Sequence, residues 1–533
     1  MITSTTADAT TGRDRLLGLS ISSLLGEPSK KRAKPNPVQA DTEDDTTAPT
    51  PKYKDFNPDQ QSLNMLVQLT GGAQSAIRVD GMAHISTERM PALAARVRKD
   101  LSLPKRTYKT FYNRKDDRLP GYVQRDKFLL VPAFWLIDRL APKYWRSCLC
   151  AGTPAPRLAH FVAPDPWPTQ QAALDAVRAH LSWDCAQKAS IMVDAEPGAG
   201  KTRLGAMVIS WAQKRTLWLV HNTDILNQTR RALQDYMPRA QIGSWTGRAK
   251  KADGCDLVMG TFQSMPPIDE SYGLVVIDEA HHLTATTFFR VMADIRSPKL
   301  LLSGTPTRKD GLDNLLWWTS GYRLVMRPQF PLKAPVYVHA YLGHTRPVFS
   351  AAALTPSLDW HAIRASLNTD AARNRYLLTI LRDMRDKGRK VLVASFNVSH
   401  VRQLAKELDA PVLVGGMSEA QTTLAKQAPI IVGTFGFVRE GLSIPIDTLV
   451  AAQPPLGNLK QFYSRLRASL RSDLQVHVIR DWYKETVMSD PTPLYSSDVE
   501  NRFFRKEMGW TIHSRRRHID YDGTLDETEF DLE

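Results

Sequence analysis

Cysteine is nearly absent. The only four, Cys148, Cys150, Cys185 and Cys255, are too scattered for a disulfide scaffold, and Cys148-Leu149-Cys150 has no second pair or His cluster to complete a zinc site. Reduced thiols in a reducing, intracellular compartment are the expectation. No run of about 18 apolar residues occurs, so no segment is expected to span a membrane. Met1 to Asp14 lacks the basic start and apolar core of a secretory signal.

Acidic residues are also in deficit. Seventy Lys and Arg face 55 Asp and Glu, a net charge of +15. Residues 1–60 hold eight bases against nine acids, and Asp520–Glu533 holds seven acids and no base, so residues 61–519 carry +23. A folded body that basic suits a polyanionic partner, because each Lys or Arg set against a phosphate releases counterions. A merely solubilising surface is the bland alternative.

Residues 1–60 are rich in Thr, Ser, Pro, Asp and Lys and are expected to form a disordered tail. Within it, Leu16 to Leu25 reads as a short amphipathic docking segment. Lys30-Lys31-Arg32-Ala33-Lys34 reads either as a nuclear-import signal or as a solvated charge run. The first reading puts the protein in a nucleus, the second leaves it in the cytoplasm. Residues 61–160 turn globular, with a strand at Phe128–Pro132 and a basic helix at Pro91–Lys99, and read as a small α+β domain. From 161 to 327, and again from 336 to 485, apolar strand-like runs alternate with helical periods, the pattern of parallel α/β sheets. Arg327 to Pro335 is a Pro-rich linker, and 486–533 is a C-terminal extension with an acidic tail.

The chemistry is concentrated in the first α/β block. Ser190-Ile191-Met192-Val193-Asp194 reads as a buried strand, followed by Ala195-Glu196-Pro197-Gly198-Ala199-Gly200-Lys201-Thr202 and a helix. This is Walker A spacing with Ala195 in place of the first Gly. Small residues let backbone N–H groups curl around phosphates, and the helix points its positive end at them. Lys201 would neutralise the β- and γ-phosphates, and the Thr202 hydroxyl would ligate Mg²⁺. A second apolar strand, Leu274-Val275-Val276-Ile277, ends in Asp278-Glu279-Ala280-His281. Carboxyl ends of strands are where open α/β sheets place ligands. Asp278 would hold Mg²⁺, and Glu279 would orient and deprotonate the attacking water. ATP and Mg²⁺ are therefore the expected cofactors. His282 has no third ligand candidate beside it and reads as structural. Trp317, Trp318, Trp360 and Phe396 suit base stacking, although core packing is the commoner use of such residues.

With both phosphate motifs in hand, residues 165–480 resemble superfamily II helicases of the DEAH-box form. That resemblance implies two tandem RecA-like lobes with parallel sheets. Pro168-Thr169-Gln170-Gln171-Ala172 looks like a Q motif in which Gln171 would contact adenine. His221-Asn222-Thr223 looks like motif Ia and Thr261-Phe262-Gln263-Ser264 like motif Ib, both lining the nucleic-acid groove in that family. Ser303-Gly304-Thr305-Pro306 looks like the element that, with His281, couples hydrolysis to movement. Val391 to Ser395 resembles motif IV. Gly433-Thr434 through Glu440-Gly441-Leu442-Ser443 resembles motif V, with Thr434 toward the groove and Gly441 in coupling. Gln461-Phe462-Tyr463-Ser464-Arg465 resembles motif VI, which implies catalytic roles for Gln461 and for Arg465 as an arginine finger. Leu302 to Asp313, Gly388 to Val393 with His400, and the leader around Asp100–Leu103 and Phe128–Pro132 are similar to the poxvirus transcript-release DNA helicase type of large eukaryotic DNA viruses. The chain departs from the pattern at Ser443, where Asp is usual, at Ser464, where Gly is usual, and at Ala468, where a second finger is expected. Arg467 and Arg471 are the substitutes at hand.

Two classes of function follow. The first is an ATP-driven translocase or helicase, implied by resemblance to track DNA 3′-to-5′, on single strands or tailed duplex, with RNA as the other track and viral transcription or replication proteins as partners. The second is a catalytically weak helicase-like scaffold, motivated by Ser443 and Ala468. A restriction-type motor with a fused nuclease lacks a paired-carboxylate and Lys cluster outside the two lobes.

Overall fold

The computed structural model describes residues 77–526, apart from 105–117, 197, 248–249, 285–290, 305, 307–311, 329–332, 351–357, 418–420, 422–423, 426, 440–445, 455–458, 464, 467–472, 487–488, 517 and 520–524. The tail 1–60 with its leucine-rich and basic segments, and most of the acidic end, lie outside the described residues. Among those described, no helix is long and apolar enough to cross a membrane.

Two parallel sheets form the body. In the first lobe the strand order is β11-β10-β12-β9-β13-β14-β8-β15. The strands are β8 (Ser190–Ala195), β9 (Thr216–Val220), β10 (Ile242–Trp245), β11 (Lys250–Lys251), β12 (Leu257–Thr261), β13 (Leu274–Asp278), β14 (Lys299–Ser303) and β15 (Tyr322–Met326). All pairs are parallel except β10 with β11. Every residue of β9, β12, β13 and β14 is buried, which explains why these runs are continuously apolar rather than alternating: helices cover both faces. Five adjacent strands, β12, β9, β13, β14 and β8, therefore bring the ends of five candidate motifs to one edge of the sheet.

The second lobe repeats the plan. Its strands are β16 (Val336–Leu342), β17 (Val391–Ser395), β18 (Val412–Leu413), β19 (Ile430–Thr434), β20 (Thr448–Ala451), β21 (Gln475–Tyr483), β22 (Thr492–Pro493) and β23 (Ile512–Arg516). They are ordered β18-β19-β17-β20-β21-β16-β23, with β22 antiparallel on β21. The chain thus has two tandem RecA-like lobes, as the sequence implies. One boundary differs: β23, in the segment read as a C-terminal extension, pairs parallel with β16 from Val336↔Ile512 onward and belongs to the sheet. Its basic sequence hides it, because an edge strand need not be apolar on both faces.

Residues 77–147 form a small sheet, β5-β6-β2-β1-β7, antiparallel except for β1 with β7. It contains β1 (Ile77–Val79), β2 (Met82–Ser86), β5 (Val123–Arg125), β6 (Phe128–Pro132) and β7 (Arg146–Ser147), with helix α1 (Pro91–Asp100) and a separate antiparallel pair, β3 (Ser102–Pro104) with β4 (Arg118–Pro120), between β2 and β5, and α2 (Ala133–Ile137) after β6. This unit is welded to the first lobe. Leu93, Trp135 and Leu136 share one hydrophobic core with Leu301 and with Leu316 and Trp318 of helix α6 (Asp313–Ser320). The Arg139 guanidinium lies 4.8 Å from the Trp135 ring and 5.8 Å from that of Trp318, a cation–π contact on both sides of the junction. Buried Lys299, at the start of β14, donates from Nζ to the Gly81 carbonyl at 3.2 Å. Burial pulls its pKa down to about 8 against the opposing pull of Asp80. A Cβ on Gly81 would lie 1.3 Å from the Ile295 carbonyl oxygen, so only glycine permits this approach.

Candidate functional site

The phosphate loop runs from β8 into helix α4 (Lys201–Ala212), and is flanked by α3 (Pro168–His180). Gly198 and Gly200 both have φ +88°, a conformation that L side chains resist, and it opens the loop so that backbone N–H groups can face an anion. The first turn of α4 contains no acidic residue, leaving its positive end uncompensated. The loop is braced from outside, where Glu196 N donates to Met326 O at 3.0 Å, and folded on itself, where Ala199 N donates to Glu196 O at 3.0 Å.

The loop's side-chain brace is Gln170, not Gln171. Gln170 is buried; its Nε2 donates to Ala199 O at 3.2 Å, and its Oε1 accepts from Trp167 N at 3.3 Å. Gln171, assigned to adenine from the motif, turns instead along its own helix and donates to Asp175 Oδ1 at 2.9 Å. The adenine role of Gln171 thus stays an expectation, while the glutamine that faces the loop lies one residue earlier, which on an α-helix is a rotation of about 100°.

At the end of β13, Asp278 is buried and Glu279 takes the left-handed conformation, φ +52°. Asp278 Oδ1 accepts the Glu279 N–H at 2.9 Å. This turn points Glu279 back at the phosphate loop, where Lys201 Nζ donates to its Oε1 at 2.7 Å. Glu279 Oε2 is buried without a hydrogen-bond partner. Burial pushes the Asp278 carboxyl up to about 6; Lys201 pulls the other way and Glu279 adds to the rise. Burial would raise Glu279 too, but Lys201 and then His281 overcome it and hold that carboxyl at about 2. Lys201 is raised despite burial, because Glu279 and Asp278 favour its charge; Arg465 works against them. The positive charge of Arg465, from the second lobe, is therefore felt at Lys201. Arg465 follows the short helix Leu459–Tyr463, its N–H donating to Phe462 O at 3.2 Å.

A relay leaves this centre sideways. His281 Nδ1 lies 3.5 Å from Glu279 Oε2 and 3.0 Å from the buried Ser303 Oγ at the end of β14. His282 stacks on His221 with ring centroids 4.2 Å apart. Asn222, beside His221, caps helix α5 (Thr223–Tyr236) by accepting the Ile225 N–H at 2.9 Å. Thr261 ends β12 next to Val220 in register, and Thr434 ends β19 opposite Ser395 of β17. The structure thus gathers Lys201, Glu279, Asp278, His281 and Ser303 into one cluster, with His221 joined through ring stacking and Thr261 on the same sheet edge. Thr434 occupies the equivalent edge of the second lobe. Pro197, Thr305, Gly441, Ser443, Ser464, Arg467, Ala468 and Arg471 lie outside the described residues, as does the side chain of Gln461.

The cluster suits Mg²⁺ and a nucleotide phosphate. Thr202 and Asp278 offer hard oxygen donors of the kind Mg²⁺ accepts while keeping waters, the glycine loop is open at Gly198, where a Cβ would meet nothing within 4 Å, and Glu279 Oε2 lacks a donor. Sequence motifs missed two residues here. Gln170 was overlooked in favour of its neighbour, and Arg323, which pairs with Asp194 at the head of the loop, carries no motif signal.

The raised Asp278 pKa makes a prediction. Its neutral form is favoured in the fold, so the stability this group lends is present at low pH and lost as pH rises through about 6. A bound cation requires the carboxylate and reverses that loss. The gain in melting temperature from Mg²⁺–ADP should accordingly be larger at pH 7.5 than at pH 5, with affinity falling up to about tenfold per pH unit below 6. The Asp278→Asn variant, which cannot titrate there, supplies the ligand's own pH dependence; an identical profile in both proteins would refute the assignment.

Comparison with known proteins places these features. Residues 164–308, which hold Gln170, Lys201, Glu279 and Ser303, match the family model "Type III restriction enzyme, res subunit". A provisionally named ATP-dependent RNA helicase of Acanthamoeba polyphaga mimivirus is 23% identical over 329 residues, 58% of this chain and 60% of that protein. A protein of African swine fever virus (isolate Pig/Kenya/KEN-50/1950), with the same provisional name, is 26% identical over 351 residues, 59% of this chain and 68% of that one. The bacterial DNA 3'-5' helicase XPB of Kineococcus radiotolerans is 27% identical over 235 residues, 41% of this chain and 42% of that protein. The chain thus spans less than two thirds of the mimivirus relative's length. Over its motif-bearing lobes the chain is thus similar to proteins of large DNA viruses that are named as helicases, and its first lobe holds the restriction-enzyme res-subunit match.

Proposed function

We propose that the protein is an ATP-driven motor that tracks along DNA in the 3′-to-5′ direction. The observation that supports this most is the 2.7 Å contact of Lys201 with Glu279 at the ligand edge of the first sheet, with Arg465 of the second lobe near enough for its charge to oppose that of Lys201; a residue delivered from the opposite lobe lets nucleotide state govern lobe closure. Lys201 holds the β- and γ-phosphates, Thr202 and Asp278 keep Mg²⁺, which when bound neutralises phosphate charge, and Gln170 steadies the loop. Tied to Lys201, Glu279 is a feeble base. Phosphate oxygens compete for Lys201, which releases Glu279 and lets its pKa rise toward the ordinary range, so that it can take a proton from water. Arg465 and Gln461 stabilise charge on the transferring group. His281 and Ser303, with Thr305 and Gly441, pass the change toward His221, Thr261 and Thr434 at the strand groove.

The +23 charge of residues 61–519 supports a nucleic-acid track. DNA is chosen on the bacterial relative's name and on the first lobe's restriction-type match, although the two viral relatives are named for RNA. The working partners are then transcription or replication proteins of a virus, inside the infected cell. The test is ATP hydrolysis by the full chain with single- and double-stranded DNA and RNA, followed by unwinding of duplexes tailed at either end. Stimulation by DNA and unwinding from a 3′ tail are expected. No stimulation by any strand in a folded sample defeats the motor; stimulation by RNA alone reassigns the track.

A further inference from the structure

Helix α7 (Trp360–Thr369), capped by Asp359, lies outside every helicase motif, yet it seats an arginine on the second lobe's working edge. The Arg364 guanidinium carbon lies 3.5 Å from the centroid of the Phe396 ring and 5.6 Å from that of Trp360. Phe396 is the first residue beyond β17, whose last residue, Ser395, pairs in register with Thr434. The Phe396 ring packs 4.5 Å from Phe435, which follows Thr434. Gln453, just past β20, ties the helix to this edge: its Nε2 donates to Arg364 O at 3.4 Å and its Oε1 accepts the Phe396 N–H at 3.1 Å.

Arg364 is held in place but not satisfied. Its Nε and Nη2 are buried with no hydrogen-bond partner, and among the described residues no carboxylate pairs with it. Its pKa is lowered by burial alone, with no neighbouring charge contributing. Such a group costs stability in isolation, which invites an anion from outside the chain. Its covering of Phe396 also decides what that aromatic does: the face under the guanidinium is taken, so Phe396 backs the arginine and does not receive a base there.

We infer that Arg364 grips a phosphodiester of the tracked strand beside Thr434, with Phe396 and Trp360 fixing its plane. A guanidinium laid flat on a ring keeps its in-plane N–H donors for bidentate binding of phosphate oxygens. This inference rests on the strand-motor reading, and its test separates the two. Binding of fluorescein-labelled oligothymidylate and oligouridylate to the full-length protein is followed by anisotropy over a series of salt concentrations. Arg364→Gln should bind about tenfold more weakly, and the slope of log K against log salt should shrink by about 0.7, one phosphate contact on a single strand. The strand concentration for half-maximal ATPase stimulation should rise by the same factor. Arg364→Lys, which keeps the charge but not the planar fork, should keep the wild-type slope while losing part of the affinity. Wild-type affinity and slope in Arg364→Gln overturn the inference and leave the motor standing. So does a rise confined to KM for ATP, which would move Arg364 to the nucleotide pocket. A wild-type protein that binds neither oligonucleotide overturns the motor itself, and this contact with it.

Discussion

Glu279→Gln should slow ATP turnover by about 10²–10⁴-fold, the ordinary worth of a positioned general base, while ATP still binds. The reasoning is geometric. The left-handed turn at Glu279 and its 2.7 Å contact with Lys201 fix the carboxylate at the mouth of the phosphate loop, and Gln reproduces its shape without its basicity. The variant also loses the charge that offsets Lys201, so ATP phosphates meet a lysine with no charged internal competitor. Nucleotide affinity should hold or tighten even as turnover collapses. Lys201→Ala gives the complementary pattern, with binding itself lost. Single-turnover hydrolysis and fluorescent-nucleotide titration separate the two. Glu279→Gln hydrolysing ATP at an undiminished rate would remove Glu279 from the chemistry.

The second large effect concerns stability. Arg373, at the start of helix α8 (Ala371–Asp386), is fully buried and forms a forked pair with Asp481 of β21, Nε to Oδ1 at 2.5 Å and Nη2 to Oδ2 at 3.1 Å. Its Nη2 also donates to Ala452 O at 2.8 Å, joining α8 to β21 and to the residue that follows β20. Cutting one partner out of such a pair strands the other charge, at a cost of about 3–5 kcal/mol. Arg373→Met should therefore unfold the second lobe at markedly lower urea or temperature. Burial already raises the Asp481 pKa against the pull of Arg373, and removing the arginine raises it further. The sign follows: the variant's deficit is smallest at low pH, where Asp481 is neutral in both folded and unfolded chain, and grows as pH rises through its folded value. Adding Asp481→Leu should recover much of the loss. An Arg373→Met protein that melts with the wild type at neutral pH would show that the pair contributes no net stability.

How much was legible beforehand depends on how local each feature is. The two phosphate motifs are contiguous stretches closing apolar strands, so their placement at one sheet edge follows from parallel topology and could be anticipated from Ser190–Thr202 and Leu274–His281. The two-lobe plan follows from the same alternation. Gln170 was missed because the motif gave a Gln-Gln pair, and only the direction of α3 against the loop decides which glutamine faces it. Strand β23 was hidden by its charge. Arg364 lay beyond sequence reasoning altogether: nothing in Trp360–Thr369 hints that folding sets it over a ring 32 positions downstream in the sequence. The bond between Lys201 and Glu279 was likewise unreadable, since motifs assign both to ligand and neither to the other.

Because Leu93, Trp135 and Leu136 share a core with Leu301 and Trp318, and no side chain fits between Gly81 and Ile295, the leading sheet cannot swivel on the first lobe like an arm on a joint. Load applied to this sheet reaches β14, and through it the adjoining phosphate-loop strand β8, without slack, so a push on the small sheet is delivered directly beside the nucleotide cleft.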